Sequence, residues 1–538
     1  MTQNIKTDPD SYLNDLFVKH RRVYMGDELK QKLVENLGKS ASTSRKIVER
    51  FAAKGFVETS KPISFGKNTY AYFPVGKKIT FDELIGLTRN RRPPLFRLLS
   101  SIKSCGGIIS YYEALKICST PLKKSKSKTP LLDHLISELT HFDAVTLQSD
   151  QNNNKYLVAS FVNQSSVKQL IAQHFSLMMV DAALLYDVLI SLSKFNLIDN
   201  SYIRYRDRRT PTKGQEHNNY VWDAFSYTKT TGINTTYGNK KNNPTTKQAL
   251  VVVDMVISRR FELFDYDGFN ERVRVLQNNT KTERKIIPII VFRDISSEAL
   301  RKARAFGMLT YNMAAFFGNG IYEVIDNLKL IKMSENAALT SPHDTVQTIA
   351  DTLELVEETG NLYNLSNMTG DFFQSLMYQL FHDLYPNSTI EQGKKLPAMD
   401  DTIGRKKKYE YDFVIQAINT DEIIAVELKG TMSNYAVQLG DGNKKNSLKW
   451  FFERTFPSFM QHYGPPLYMN TKIRACFITS GRFDRPGESY LMELNKGKLK
   501  PASIELSYNG KQLLKLVNEK SLHTLRHTLE RYFVQADK

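Results

Sequence analysis

The sequence predicts a multidomain chain: two all-α units with small hairpins at the N-terminus, then an α/β domain, then a second α/β domain at the C-terminus. Three observations point there. A chain of 538 residues is too long for one ordinary core and has room for roughly three to four domains. Apolar residues recur at helical spacing through residues 1–165, and strand-like apolar runs alternating with helices follow. Charge is uneven as well: residues 1–165 hold 26 basic and 15 acidic side chains, a net of +11 out of +18 for the whole chain.

Composition narrows the class. Hydrophobic content of 41% and aromatic content of 11% suit packed globular domains and exclude wholesale disorder. Cys105, Cys118 and Cys476 stand far apart, which excludes a disulfide scaffold and a cysteine-based zinc module and fits a reducing compartment. Apolar stretches such as Ala249–Val256 are far shorter than the ~20 residues of a membrane span, and the N-terminus lacks the apolar core of a signal peptide. A cytoplasmic protein with no membrane partner is the expectation. The basic front third calls for a polyanion, since phosphate neutralisation with counterion release supplies most non-specific nucleic-acid affinity.

In residues 1–78, Ser11–Arg21 sets Leu13, Leu16 and Phe17 on one helical face, and Asp27–Leu37 does the same with Leu29, Leu33 and Val34 before Gly38 stops it. A third helix, Ser44–Lys54, turns Ile47, Val48 and Phe51 inward and leaves Arg45, Lys46, Arg50 and Lys54 free to face out. A polar turn and the strand Thr69–Phe73 follow. This order resembles a winged helix-turn-helix, which implies a third helix in the major groove of double-stranded DNA and a wing on its backbone. Residues 79–165 repeat the pattern with helices at Pro94–Ser104, Tyr111–Cys118 and Leu131–Phe142, then strands Ala144–Leu147 and Tyr156–Phe161. A lysine-rich excursion, Ser119–Pro130, separates its second and third helices. Each unit also fits a generic three-helix bundle, and winged helices also bind proteins.

Residues 166–335 change character. Gln169–Phe195 reads as helix and Thr228–Thr246 as a polar loop; Ala249–Ser258 and Ile286–Phe292 are continuous apolar strands, with helices Phe264–Gln277 and Ser296–Phe306 between and after them. Asp223 and Asp254 form a candidate carboxylate pair, but Val256 stands where a lysine would complete it. The segment is similar to a degenerate nuclease-like fold, with another α/β domain as the alternative, and it receives no chemistry.

Residues 336–538 carry the chemistry. An amphipathic helix, Asp371–Leu384, precedes a Gly404–Lys408 basic connection and two strands, Tyr409–Ile418 and Glu422–Gly430, joined by a short polar turn. Side chains alternate along a strand, so Glu427 and Lys429 project together, and the hairpin brings Asp412 beside them. Two carboxylates and a lysine on neighbouring strands suit phosphodiester hydrolysis assisted by a hard divalent cation, Mg²⁺ or Mn²⁺. The lysine would orient or deprotonate water, or offset charge.

With the helix Leu448–His462 and the strand Thr471–Gly481 behind it, this stretch resembles the PD-(D/E)XK nuclease superfamily over residues 368–535. Asp412 matches the motif aspartate, and Glu427, Leu428 and Lys429 match the (D/E)XK. The resemblance implies a mixed sheet flanked by helices, Asp412, Glu427 and the Leu428 carbonyl as metal ligands, and Lys429 as a catalytic residue. Two departures stand out. Tyr411 replaces the proline before the aspartate, and Gln374 occupies the place where many members carry a helical glutamate; that ligand is then missing, replaced by an amide oxygen, or supplied by Asp371 or Glu391.

No HExxH, GxSxG, P-loop or GxGxxG motif occurs, so ATP-driven movement would need a partner. Trp450 reads as core. The plan resembles type IIS restriction or defence endonucleases. The expectation is a metal-dependent DNA endonuclease, cutting both strands as a homodimer or by sequential nicking. Two alternatives stay open: a DNA-binding recruitment subunit with an inactive nuclease fold, and a nuclease subunit of a transposition or plasmid-interference complex needing an ATPase partner.

Overall fold

The computed structural model describes residues 8–124, 130–228, 248–278, 285–337, 342–398, 408–430, 435–464 and 471–534. Most of the Thr228–Thr246 loop, the basic stretch Gly404–Lys407 and the middle of the Ser119–Pro130 excursion lie outside the described residues. The protein mixes helices with several small sheets and divides into two compact units. Unit 1 comprises residues 1–178, 196–206 and 210–311; unit 2 comprises 179–195, 207–209 and 312–538.

Unit 1 opens with helices α1 (Pro9–His20), α2 (Gly26–Leu37) and α3 (Ala41–Ala53) and short strands at Tyr24–Met25, Val57–Thr59 and Ala71–Pro74. Local chemistry sets the helix ends. Asp8 and Ser40 cap α1 and α3 by accepting the backbone N–H of Ser11 and Thr43. Gly38 (φ 60°) ends α2 in the left-handed conformation that glycine adopts at least cost. Leu13, Phe17, Leu29, Leu33, Ile47, Val48 and Phe51 are all buried together, each stabilising by roughly 1.5–3 kcal/mol. The three strands lie in the order first–third–second. The same sequence of elements recurs with α4 (Pro93–Ser104), Ile108–Ser110, α5 (Tyr111–Cys118), α6 (Leu132–His141), Val145–Ser149 and Lys155–Ala159, again with the strands ordered first–third–second.

A five-stranded sheet completes unit 1: β1 (Arg204–Tyr205), β2 (Ala224–Thr228), β3 (Ala249–Val256), β4 (Ile286–Phe292) and β5 (Leu309–Asn312), adjacent in that order. β1–β2 and β2–β3 are antiparallel and β3–β4 parallel. Helix α7 (Leu263–Gln277) makes the crossover between the parallel pair. Gly268 in α7 lies so close to α5 that a Cβ there would stand 2.7 Å from the carbonyl oxygens of Lys116 and Ile117. Glycine therefore permits the approach that sets α5 against the sheet.

In unit 2, helix α8 (Ser366–Leu384) precedes a second five-stranded sheet of β6 (Thr389–Pro397), β7 (Lys408–Ala417), β8 (Glu422–Lys429), β9 (Lys472–Thr479) and β10 (Ser507–Tyr508). Chain order is again spatial order. β6–β7 and β7–β8 are antiparallel, β8–β9 and β9–β10 parallel. A π turn, Trp450–Thr455, running into the helix Phe456–Tyr463 makes the crossover after β8, where the sequence predicts one uninterrupted helix. Trp450 is half-buried at the edge of this core, beside Tyr409 and Arg454. The sequence reading overlooks one feature: Gln164–Lys194 is a helical stretch apolar and long enough to cross a membrane, although 67% of its most apolar window is buried in the protein.

Candidate functional site

The hairpin β7–β8 holds the predicted residues. Phe413 pairs with Val426, and beyond that pair the backbone N–H of Leu428 donates to Asp412 Oδ2 at 2.7 Å. Lys429 Nζ donates to Glu427 Oε1 at 2.6 Å, so the alternation that placed Glu427 and Lys429 on one face holds. Burial raises the Glu427 carboxyl above its ordinary range, and the neighbouring Asp412 charge adds to that against the opposing pull of Lys429. Lys429 also titrates high: burial works against its charge, but Glu427 and Asp412 outweigh it. The lysine therefore keeps its proton.

Helix α8 supplies Gln374, whose amide nitrogen donates to Asp412 Oδ1 at 3.0 Å. It is Gln374 that meets Asp412, through a donor rather than the amide oxygen. Gly430 makes this possible, since a Cβ there would lie 2.4 Å from the Phe373 ring. Asp371 pairs with Arg208 at 2.6 Å, and Glu391 with Lys394 at 2.7 Å. The other Glu391 oxygen is buried without a hydrogen-bond partner. Tyr411, next to Asp412, donates its hydroxyl to the Thr455 carbonyl at 2.7 Å.

Sequence reasoning missed Arg209. Its Nη2 donates to Asp412 Oδ1 at 2.7 Å and its Nη1 to Glu410 Oε1 at 2.8 Å; Lys395 reaches Glu410 at 3.1 Å. No sequence pattern marks a contact between residues 203 positions apart. Among the described residues, no group of three or more His, Cys, Asp or Glu side chains is placed to hold a metal ion. Two carboxylates with hard oxygens nevertheless match the donor chemistry of Mg²⁺ completed by waters, and a protein cation already stands against Asp412.

Unit 1 holds a parallel arrangement. Asp223 just precedes β2, Asp254 lies in β3, and the N–H of Met255 donates to Asp223 Oδ2 at 2.9 Å, as Leu428 does to Asp412. The lysine absent from position 256 comes from α5: Lys116 bonds Asp223 and lies 3.4 Å from Asp254. Tyr112 donates to Asp223 at 2.6 Å, Arg206 lies 3.1 Å from it, and Arg272 of α7 bonds Asp254. Burial opposes ionisation of Asp223, but Arg206 and Lys116 prevail and hold it below the usual carboxylate range.

The basic residues of α3 are exposed. Arg45 pairs with Glu49 at 3.0 Å along the helix and Lys54 with Asp10, while Arg50 bonds the Lys46 carbonyl. Compared with protein-family models, curated proteins and solved structures, the chain matches none.

Proposed function

We propose that the protein is a metal-dependent DNA endonuclease of PD-(D/E)XK type, acting in the cytoplasm in restriction or in defence against phage or plasmid DNA. The observation that carries the reading is the placing of Asp412, Glu427 and Lys429 on adjacent strands of a mixed sheet. Asp412, Glu427 and the Leu428 carbonyl would hold Mg²⁺, or Mn²⁺ in its place. When bound, the ion polarises the phosphate and lowers the pKa of an attacking water. Lys429, kept protonated by its two acidic neighbours, offsets charge that develops on the phosphate oxygens. Gln374 and the Leu428 N–H hold Asp412 in orientation.

The helix–strand–helix–helix–strand–strand order of residues 9–74 and 93–159, each with its strands ordered first–third–second, supports winged-helix units that seat the chain on duplex DNA through Arg45, Lys46, Arg50 and Lys54. Residues 166–335 read as a degenerate copy of the nuclease core, because strand order and the N–H-to-aspartate bond recur there. A homodimer or an ATPase partner would allow double-strand cleavage. Supercoiled plasmid incubated with Mg²⁺, Mn²⁺ or EDTA tests the reading: nicking or linearisation should need the metal and vanish in Glu427→Ala and Lys429→Ala. Retardation of DNA without cleavage under every condition would instead favour a recruitment subunit with an inactive fold. The Arg209 and Gln374 donors on Asp412 favour that second reading.

A further inference from the structure

The cations around Asp412 come from three places in the sequence, and one of them is a short visiting segment. Glu410, Asp412 and Glu427 face Arg209, Lys395 and Lys429, so the cluster is balanced with protein charges alone. Arg209 is the member that covers Asp412. Its fork spans Glu410 and Asp412, while Oδ2 of Asp412 is taken by the Leu428 N–H. A metal ion and this guanidinium would call on the same carboxylate oxygen.

The segment is seated rather than draped. Arg208 bonds Asp371 and the Asn367 carbonyl of α8, and Asp207 accepts the N–H of Arg209 at 2.9 Å. The Arg209 stem lies over Gly393, the left-handed residue (φ 63°) of edge strand β6; a Cβ there would touch its Cβ and Cδ at 3.9 and 4.0 Å. Yet the Arg209 side chain is 31% exposed, whereas Arg272, which plays the comparable part in unit 1, is 1% exposed. Arg209 has a way out to water; Arg272 has none.

We infer that Arg209 is a built-in competitor for the divalent cation at Asp412, a latch that keeps the site closed to metal until residues 207–209 are drawn away. The identity of the ion rests on the nuclease reading; the competition rests on the hydrogen bonds of Arg209. Charge compensation explains it: a carboxylate pair already bridged by a guanidinium gains little from a second cation, and loses its counter-charge when the arginine leaves.

The test is Mn²⁺ binding to the full-length chain at fixed pH and salt, read from the paramagnetic resonance of free Mn²⁺. Arg209→Ala should bind one ion per chain at least tenfold more tightly than the wild type. Glu410→Gln, which keeps the guanidinium but removes one of its anchors, should give a smaller gain in the same direction. Equal binding by wild type and both variants overturns the latch. If Arg209→Ala does not fold, Glu410→Gln decides alone. Plasmid cleavage measured in parallel separates the two ideas. Tighter Mn²⁺ binding without cleavage in any variant keeps the latch and removes the nuclease. Cleavage with the same metal dependence in wild type and variants keeps the nuclease and removes the latch.

Discussion

The two sheets set the same backbone frame around an aspartate and then treat it in opposite ways. In unit 1 the N–H of Met255 holds Asp223, and Lys116, Arg206, Arg272 and Tyr112 close over it and Asp254, none of the three cations more than 10% exposed. In unit 2 the N–H of Leu428 holds Asp412, and a partly exposed arginine and a glutamine stand against it. Identical strand order does not dictate chemistry. What differs is whether the compensating charge is locked in by packed helices, as Gly268 locks α5 to α7, or borne by a segment that water can reach.

The largest contrast should appear in activity. Lys429→Met is expected to lower DNA cleavage by ~10²–10⁴-fold and, because it leaves the mostly buried Glu427 without its cation, to lower the denaturation midpoint as well; a comparable loss of cleavage from Lys116→Met with the fold intact would break the division of labour between the sheets. Next comes stability. Arg272→Ala leaves the buried Asp254 with only Lys116, shared with Asp223, as its counter-charge and should cost about 3–5 kcal/mol in chemical denaturation, against less than about 2 kcal/mol for Arg209→Ala, whose partner keeps two other donors. Equal costs would mean that both clusters are structural.

Asp187 sharpens the comparison from a third side, because backbone N–H groups of Asn367 and Met368 hold it at 3.1 and 3.2 Å. Burial raises its carboxyl to about 7 despite them. Folding then takes up a proton above the ordinary carboxylate value: the stability tied to this group is full at acid pH and is lost as pH rises through 7. Relative to Asp187→Asn, the wild type should weaken from pH 4 to pH 8 by an amount on the order of a few kcal/mol, as read from urea midpoints; a flat difference would mean that Asp187 is ionised throughout. The smallest effect concerns exposed cations, whose bonds stay within their own helix. Removing Arg45, Lys46 or Arg50 should leave melting unchanged and reduce the salt slope of DNA binding by about 1 for each phosphate that is no longer neutralised.

Much of this was legible in the sequence where the signal is local. Helical spacing of Leu29, Leu33, Ile47, Val48 and Phe51 marks the first unit, and the alternation in EIIAVELKG marks β8 and puts Glu427 beside Lys429. The edge strand β6 was not legible: Thr389–Pro397 (TIEQGKKLP) is polar and kinked at Gly393, because an edge strand packs on one side only. The helix Phe81–Thr88 was readable but missed, since Thr80 and Glu83 spell a capping box. Lys116 at Asp223 and Arg209 at Asp412 lay beyond any local pattern; those partners are 107 and 203 residues apart, and only tertiary packing selects them.

The Tyr411 hydroxyl on the Thr455 carbonyl ties together two parts of the chain. A π turn winds its backbone wider than an α-helix, and the turn ending at Thr455 meets the residue next to Asp412. The position of the aspartate is thus measured from that turn as well as from its own hairpin. Deleting one residue from the turn should shift Tyr411, and with it the neighbouring Asp412, although neither belongs to the turn. Two stretches more than 40 positions apart thus share in placing one carboxylate.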